Sequence, residues 1–504
     1  MFDPRERSQP ITFLACLSLA CLLLCGLASA APSITLSKKS GPPTSRILVS
    51  GRGFEANVGV DIYFDTKDKA LVVTNVKGEF HDAAVHAPRS ARPGQHWVTA
   101  LQRNNDKGAQ KPFLVQTDWR EFHFDADGTR LNPFENVLNV GTVGGLELKW
   151  SYPSGDYLSS SPAVANGVVY VGSQDNNVYA LNAKTGAKIW SYSTADWVDA
   201  SPAVEDGVVY VGSFDHNVYA LNARNGAKLW SYATGDRVDS CPAVVDGVVY
   251  IGSLDRNVYA LNARTGAKLW NYTTGAQVES SPSVANGVVY IGSDSDDQRV
   301  YALNARTGAK LWSYATGGDV PSSPAVANGV VYVGSGATGD YNLYALDAST
   351  GAELWKYTTN EVVFSSPAVA NGVVYVGSYD NNVYALNAST GALLWRYPTG
   401  GFVYSSPAVA NGVVYVGSQD GNLYALNAST GTELWSYLTG SWVLSSPAVV
   451  NGVAYVDSYD SNVYAFGLPH SDELKDADSK RPDPKTLRPD FSLKPSTPAP
   501  TGRR

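Results

Sequence analysis

A unit of about forty residues is written eight times between Ser161 and Phe466, and that repetition limits the fold more than any other property of the chain. The first copy runs Ser161-Pro162-Ala163-Val164, Asn166-Gly167-Val168-Val169-Tyr170-Val171-Gly172-Ser173 and Asn177-Val178-Tyr179-Ala180-Leu181-Asn182, then closes on Thr185-Gly186 and Trp190. A period of this length marks a repeat architecture. Its phase is set by Pro162, Pro202, Pro242, Pro282, Pro324, Pro367, Pro407 and Pro447, 40 residues apart except for steps of 42 and 43 around the fifth copy.

Inside each unit the apolar positions alternate with a period of two, and the residues are Val and Tyr separated by Gly, Asn and Asp, so the segments are strands. Asn166-Gly167, Asp206-Gly207, Asp246-Gly247 and Asn286-Gly287 are hairpin turns of the kind that need positive φ. Further turns at Thr185-Gly186 and near Asp175-Asn176 divide the unit into four short strands, A to D. Val-Val-Tyr-Val is apolar on both sides of its strand, so both faces of each small sheet must be covered. Neighbouring sheets in a ring provide that cover.

The tryptophans indicate how the ring closes. Seven copies end on Trp190, Trp230, Trp270, Trp312, Trp355, Trp395 and Trp435; the eighth stops at Phe466 without one. An orphan fourth strand, Leu148-Lys149-Trp150-Ser151-Tyr152, stands ahead of the first copy. The expected fold is therefore all-β, an eight-bladed β-propeller over 146–467 whose last blade is latched by a strand from the other end. Lys188, Lys228, Lys268 and Lys310 fall on the outermost strand, where charge discourages edge pairing.

The flanking sequence differs in character. An apolar run from Phe13 to Leu27 ends in Ala28-Ser29-Ala30 and reads as an export signal over 1–30. That predicts a secreted, periplasmic or cell-surface protein with no membrane span in the mature chain. Cys16, Cys21 and Cys25 would leave with the signal, so Cys241, expected to be a small buried residue, has no intrachain partner. Residues 31–117 read as a small antiparallel β-sandwich, 118–145 as a lead-in, and 468–504, rich in Pro, Asp, Lys and Ser, as a disordered tail. The formal charge of −8, with no long Lys/Arg block, excludes a nucleic-acid surface.

Ala345-Leu346-Asp347-Ala348-Ser349-Thr350-Gly351-Ala352-Glu353-Leu354-Trp355 resembles the tryptophan-docking motif of pyrroloquinoline-quinone (PQQ)-type propellers, and six other blades match it with Asn for the Asp. Asp118-Trp119-Arg120 and Asn132-Pro133-Phe134-Glu135 are similar to the lead-in of that superfamily. On this reading Trp150, Trp190, Trp230, Trp270, Trp312, Trp355, Trp395 and Trp435 are structural docking residues. Gly51-Arg52-Gly53-Phe54, Gly78-Glu79-Phe80 and Pro93-Gly94-Gln95-His96 resemble bacterial immunoglobulin-like modules, which serve as spacers or adhesive units. The propeller superfamily contains quinone-dependent alcohol dehydrogenases and non-catalytic members such as the lipoprotein of the outer-membrane barrel assembly machinery, so activity must be argued from the site.

The dehydrogenase chemistry that this resemblance implies requires Ca²⁺ held by six to eight oxygen ligands and a carboxylate base. The class also holds its quinone against a disulfide of adjacent cysteines. This chain has no adjacent Cys pair, no Cys-x-x-Cys-His haem site and no His-Glu-x-x-His set. No catalytic residue, metal ligand or cofactor is therefore assigned; PQQ with calcium belongs only to the dehydrogenase alternative. Thr265-Gly266-Ala267-Lys268 lacks the upstream glycine of a phosphate loop and is a turn. Asp294-Ser295-Asp296-Asp297 is expected to be a solvated acidic hairpin.

The copies differ from one another mainly just before each proline and just after each Gly-Ser, in the D-to-A and B-to-C loops at one end of the blades. Five residues before the proline, blades seven, eight, one and two carry Phe402, Trp442, Tyr157 and Trp197, which are contiguous in a closed ring. Three residues before it, blades six to eight carry Phe364, Tyr404 and Leu444, whereas blades two to four carry Asp199, Asp239 and Glu279. Asp156, Asp196 and Asp236 add carboxylates on blades one to three. The expectation is a mouth with an aromatic and an acidic arc, suited to a peptide, a glycan or a cationic ligand. Together these features predict an exported, monomeric, non-catalytic binding or scaffolding protein that recognises a cell-envelope protein, peptide or glycan. The alternatives are a PQQ/Ca-dependent alcohol dehydrogenase and an outer-membrane protein assembly scaffold.

Overall fold

The computed structural model describes residues 31–294, 296–336, 339–469 and 480–495. The expected export signal, with Cys16, Cys21 and Cys25, lies outside the described residues. Two short 3₁₀ turns, Val143–Gly145 and Pro484–Thr486, are the only helical elements among them.

Eight sheets among the described residues contain four consecutive antiparallel strands. In the first, A is Ala163–Ala165, B is Val168–Gly172, C is Asn177–Asn182 and D is Lys188–Ser193. Between A and B, Asn166 and Gly167 have φ of 52° and 77°, the pair of positive values that a two-residue hairpin matching strand twist requires. Strands B and C are buried on both faces, as Val169, Val171, Val178 and Leu181 illustrate, and strand D turns Lys188 to solvent. The last sheet has strands Ala448–Val450, Val453–Ser458 and Asn462–Gly467, and its fourth strand is Glu147–Pro153, with Trp150 opposite Ala465 and Tyr152 opposite Val463.

Each docking tryptophan ties its blade to the next. The Trp190 indole N–H donates to the Ala223 carbonyl at 2.9 Å, and Trp230, Trp270, Trp312, Trp355 and Trp395 repeat the bond to Ala263, Ala305, Ala348, Ala388 and Ala428. Trp150 on the latch strand donates to Ala183, and Trp435 to Leu146. The indole lies flat on the following Thr-Gly turn: a Cβ added to Gly186, whose φ is +71°, would sit 2.7 Å from the Trp150 ring. Glycine is required there by both contact and conformation.

The N-terminal segment forms two sheets around one core. The first joins Ser33–Leu36, Arg46–Arg52 and Phe80–His86; the second joins Ser40–Gly41, Gly108–Val115, Gly94–Gln102, Gly59–Phe64 and Lys67–Val73. Ile47, Val49, Ile62, Phe64, Val98 and Phe113 are among the residues packed between them.

The tail departs from expectation. Instead of the disorder predicted from 468 onward, residues 480–495 lie on the outer face of the second sheet. Leu487 is buried against Tyr63 and Leu101. Gln110 donates to the Pro482 carbonyl, the Asp490 N–H donates to Asp68, and the Arg481 guanidinium lies over the Trp97 ring. The tail is poor in apolar residues, but one leucine and a few polar bonds hold it because the module supplies the apolar surface. Residues 470–479 and 496–504 lie outside the described residues.

Candidate functional site

The blades converge on an axial pocket of about 290 Å³. Two rings of side chains line it, both contributed by the D-to-A loops. The outer ring, three residues before each proline, is Ser159, Asp199, Asp239, Glu279, Pro321, Phe364, Tyr404 and Leu444. The inner ring, one residue before, is Ser161, Ser201, Cys241, Ser281, Ser323, Ser366, Ser406 and Ser446.

The inner ring is a closed circle of hydrogen bonds. The Ser161 N–H donates to the Ser201 hydroxyl, the Ser201 N–H to the Cys241 sulfur, and so on through Ser281, Ser323, Ser366 and Ser406 to Ser446, whose N–H donates back to Ser161 at 2.8 Å. A small side chain with an acceptor is needed at every step, which explains why serine recurs and why cysteine is the tolerated exception. Burial raises the Cys241 thiol pKa, so the thiol stays protonated.

The pocket is blind because the lead-in closes its other end. Trp119 exchanges N–H···O bonds with Val164, the middle of strand A in blade one. The Val204, Val284, Val326, Val369 and Val409 N–H groups donate to the carbonyls of Arg120, Ala126, Asp127, Thr129 and Arg130. The Val244 N–H meets the Glu121 carboxylate at 3.4 Å, and Asn132 donates to the Val449 carbonyl. One loop thus circles the axis and caps the inner edge of every blade, where unpaired backbone groups would otherwise be buried. Phe122 forms the floor. Beneath it Arg130, fully buried, donates to the carbonyls of Pro407, Phe122 and Pro447 and packs over the Phe122 ring at 4.7 Å; burial lowers its pKa to about 9.

The two arcs face each other across this pocket. On the acidic side Asp199 accepts from the Ser159 hydroxyl at 2.6 Å and from Gln174. Burial, reinforced by Asp199 and Glu279, raises Asp239 to about 7. On the aromatic side Phe364 and Tyr404 stack at 5.6 Å between ring centroids, and Phe364 stacks on Tyr379 at 5.1 Å. Desolvation of its hydroxyl at the pocket raises the Tyr404 pKa even though 42% of the residue is exposed, and Asp239 and Glu279 add to it.

The other expected residues are arranged differently. Tyr157, Trp197, Phe402 and Trp442 do not line the pocket; they stand 43–49% exposed on the rim around it. Each rests on a ring from a B-to-C loop: Tyr157 and Trp442 flank Tyr459, Trp197 packs on Phe214, and Phe402 stacks on Tyr379 at 5.0 Å. Asp156, Asp196 and Asp236 are a correction to the acidic arc. Their carboxylates accept from the backbone N–H of the next residue, so they shape the rim turn and are not part of the pocket wall. At the loop 294–297 the expectation holds for Asp296, which is exposed, and fails for Asp294, which is 8% exposed and raised to about 8 by burial with Glu279 and Asp319 nearby. Burial against the pocket's acidic side overrides the solvation expected of an acidic hairpin.

Sequence reasoning missed Tyr459, Tyr379 and Phe214, although all three occupy the variable position after the Gly-Ser pair, which is Asp457-Ser458 in the eighth copy. It also missed Phe122, the pocket floor, for which no repeat provides a signal.

Comparisons with known proteins place this fold. Residues 194–411 match the family model described as the β-propeller of the β-alanine-activating enzyme, and residues 126–238 and 398–468 match that of the outer membrane protein assembly factor BamB. The propeller is of the PQQ-like class. Three solved structures with a similar fold carry different descriptions. A quinohemoprotein alcohol dehydrogenase from Comamonas testosteroni aligns at 18% identity, covering 70% of this chain and 80% of that one, with a TM-score of 0.62. BamB from Moraxella catarrhalis aligns at 22%, covering 64% and 99%, with 0.56. The computationally designed Ika8 protein aligns at 18%, covering 62% and 97%, with 0.57. A comparison with curated proteins gives no match. Identities this low concern fold alone.

The pocket does not fit the cofactor of the dehydrogenase alternative. PQQ is a polycarboxylate, and the described lining residues include Asp199, Asp239 and Glu279 but no lysine or arginine. Among the described residues no group of three or more His, Cys, Asp or Glu is placed to hold a metal ion.

Proposed function

We propose that this is an exported, non-catalytic binding or scaffolding protein that recognises a cell-envelope protein, peptide or glycan at the open mouth of its propeller. The observation that carries the reading is the division within each blade: an invariant frame surrounds a blind pocket whose outer ring and rim are the positions where the copies differ. A volume of about 290 Å³ lies at the small end of ligand sites, so the pocket suits one side chain or head group of a larger partner. The exposed aromatic rim supplies the surrounding contact area, since patches of this kind mark interaction sites. An envelope-assembly scaffold is the narrower form of the same reading and is supported by the match to the BamB family model. The N-terminal module, read as immunoglobulin-like, acts as a spacer or adhesive unit.

The test is capture from solubilised cell envelope on the immobilised protein, in parallel with a Trp197→Ala, Trp442→Ala double variant. Because both rings are half exposed, the variant is expected to keep its thermal stability and to lose the captured partner by at least tenfold, as truncation of aromatic anchors does. Equal capture by both proteins would remove the rim from the binding surface.

A further inference from the structure

We propose that the axial pocket selects an organic cation, a primary or quaternary ammonium group, which it holds between the carboxylates of Asp199, Asp239 and Glu279 and the ring wall of Phe364 and Tyr404. This rests on the reading of the pocket as the binding site and adds to it the chemistry of the group bound.

Three observations carry the inference. First, the charges within the site do not balance. Asp199, Asp239 and Glu279 line one wall, and no lysine or arginine is found among the described lining residues. Asp294, more than nine-tenths buried beside Glu279, is pushed up to about 8 and so kept largely protonated near neutral pH, as expected where no cation offsets the acidic wall. Two cations are nearby. Arg237 lies over the Phe214 ring at 5.2 Å on the rim and offsets Asp239 and Glu279 only in part, since both stay raised in spite of it, and Arg130 is under the Phe122 floor with its guanidinium on three carbonyls. Second, the opposite wall is made of the aromatic rings Phe364 and Tyr404, a ring type that attracts cations through its quadrupole and carries no competing charge. The stacking of Phe364 on Tyr404 and Tyr379 holds these rings in place before any ligand arrives. Third, the closed floor excludes passage, so the site retains a head group and does not conduct it. Arg130 beneath the floor places the favourable position for the cation at the level of the outer ring, where the carboxylates and aromatics meet.

The chain contains its own reporter. Cys241 belongs to the inner ring and lines the pocket, so reagents that label its thiol must pass the outer ring. The protein is treated with methanethiosulfonates carrying a trimethylammonium group, a neutral methyl group or a sulfonate, and labelling of Cys241 is followed by peptide mass spectrometry. Each rate is divided by the reagent's rate with a small free thiol, which removes intrinsic reactivity; the raised Cys241 pKa slows all three reagents alike and cancels in their ratio. The cationic reagent is expected to outpace the anionic one by more than about tenfold at low salt, the scale on which a charged cleft concentrates a ligand. The Asp199→Asn, Asp239→Asn, Glu279→Gln variant, which loses like-charge repulsion and should fold, is expected to bring the ratio to about one. n-Butylammonium should protect Cys241 at concentrations where n-butanol does not.

A wild-type ratio near one, a ratio that survives the triple substitution, or equal protection by the alcohol would each overturn the proposal. So would failure of the neutral reagent to reach Cys241 in the folded protein, since the pocket would then be closed to a group of this size. Capture of an envelope partner that depends on Trp197 and Trp442, together with a ratio near one, would leave the binding platform standing and reject the cation.

Discussion

Asp457 breaks the repeat pattern at a fully buried position. The other seven blades place glycine there, from Gly172 to Gly417, and a Cβ at those glycines would come within 2.3–2.5 Å of the following blade, at the valine that Val198 represents. In the eighth blade the position carries an aspartate that is fully buried with neither carboxylate oxygen hydrogen-bonded, and by the same spacing Leu158 replaces the valine. Burial holds the Asp457 pKa well above its ordinary 3.8. The folded state then keeps a proton that the unfolded chain releases, so stability falls as pH rises above the ordinary carboxylate range. Asp457→Asn removes only the ionisable group. Urea unfolding should find the two proteins within about 1 kcal/mol at pH 4 and the variant more stable by more than about 1 kcal/mol at pH 8. A gap that does not change with pH would mean that Asp457 is solvated or paired. The substitution itself is visible in the sequence, where Val-Asp-Ser stands for Val-Gly-Ser, but its burial is a property of the seam between the last and first blades.

The latch blade shows what closing a ring from two chain ends entails. In seven blades the strand-B tyrosine donates its hydroxyl to an alanine carbonyl of the next blade, as Tyr375 does to Ala428 at 3.1 Å and Tyr455 to Ala183. Tyr415, in blade seven, is fully buried and its hydroxyl has no partner. Its acceptor would lie on the C-to-D turn of blade eight, and that turn does not exist because the fourth strand arrives from Glu147. Trp435 finds Leu146 instead, but Tyr415 finds nothing. Tyr375→Phe should therefore cost about 1 kcal/mol, whereas Tyr415→Phe should be neutral or stabilising, because it deletes an unsatisfied buried hydroxyl. Equal losses in chemical denaturation would show that Tyr415 is hydrogen-bonded in solution. The latch was legible from the missing eighth tryptophan and the orphan Trp150 strand; its residual defect was not, because hydrogen-bond satisfaction depends on the neighbouring blade.

For the whole molecule, the tail brings the end of the chain back to its beginning. Leu487 covers Tyr63 and Leu101, and Arg103, which is ion-paired with Asp61 at 2.8 Å, also donates to the Asp490 carbonyl. Removing 480–504, or introducing Leu487→Asp, should destabilise the N-terminal module by about 1.5–3 kcal/mol, the value of burying one such side chain. Hydrogen exchange should then quicken in Lys67–Val73 and Gly94–Gln102 while the blades remain protected. Unchanged exchange in those strands would mean that the tail contributes nothing to the module.

The sequence by itself determined the repeat, the strand pattern, the turns, the docking tryptophans and the side of the ring on which the copies vary. All of these follow from local periodicity and from comparing copies of one unit. The tertiary structure alone decided that the lead-in seals the axis, that Asp199, Asp239 and Glu279 share a wall while Asp156, Asp196 and Asp236 cap turns, and that the tail docks. Those outcomes depend on contacts between residues far apart in the chain, many of which occur only once. A pattern that repeats can be read from one dimension, whereas a contact that occurs once has no internal copy to compare with.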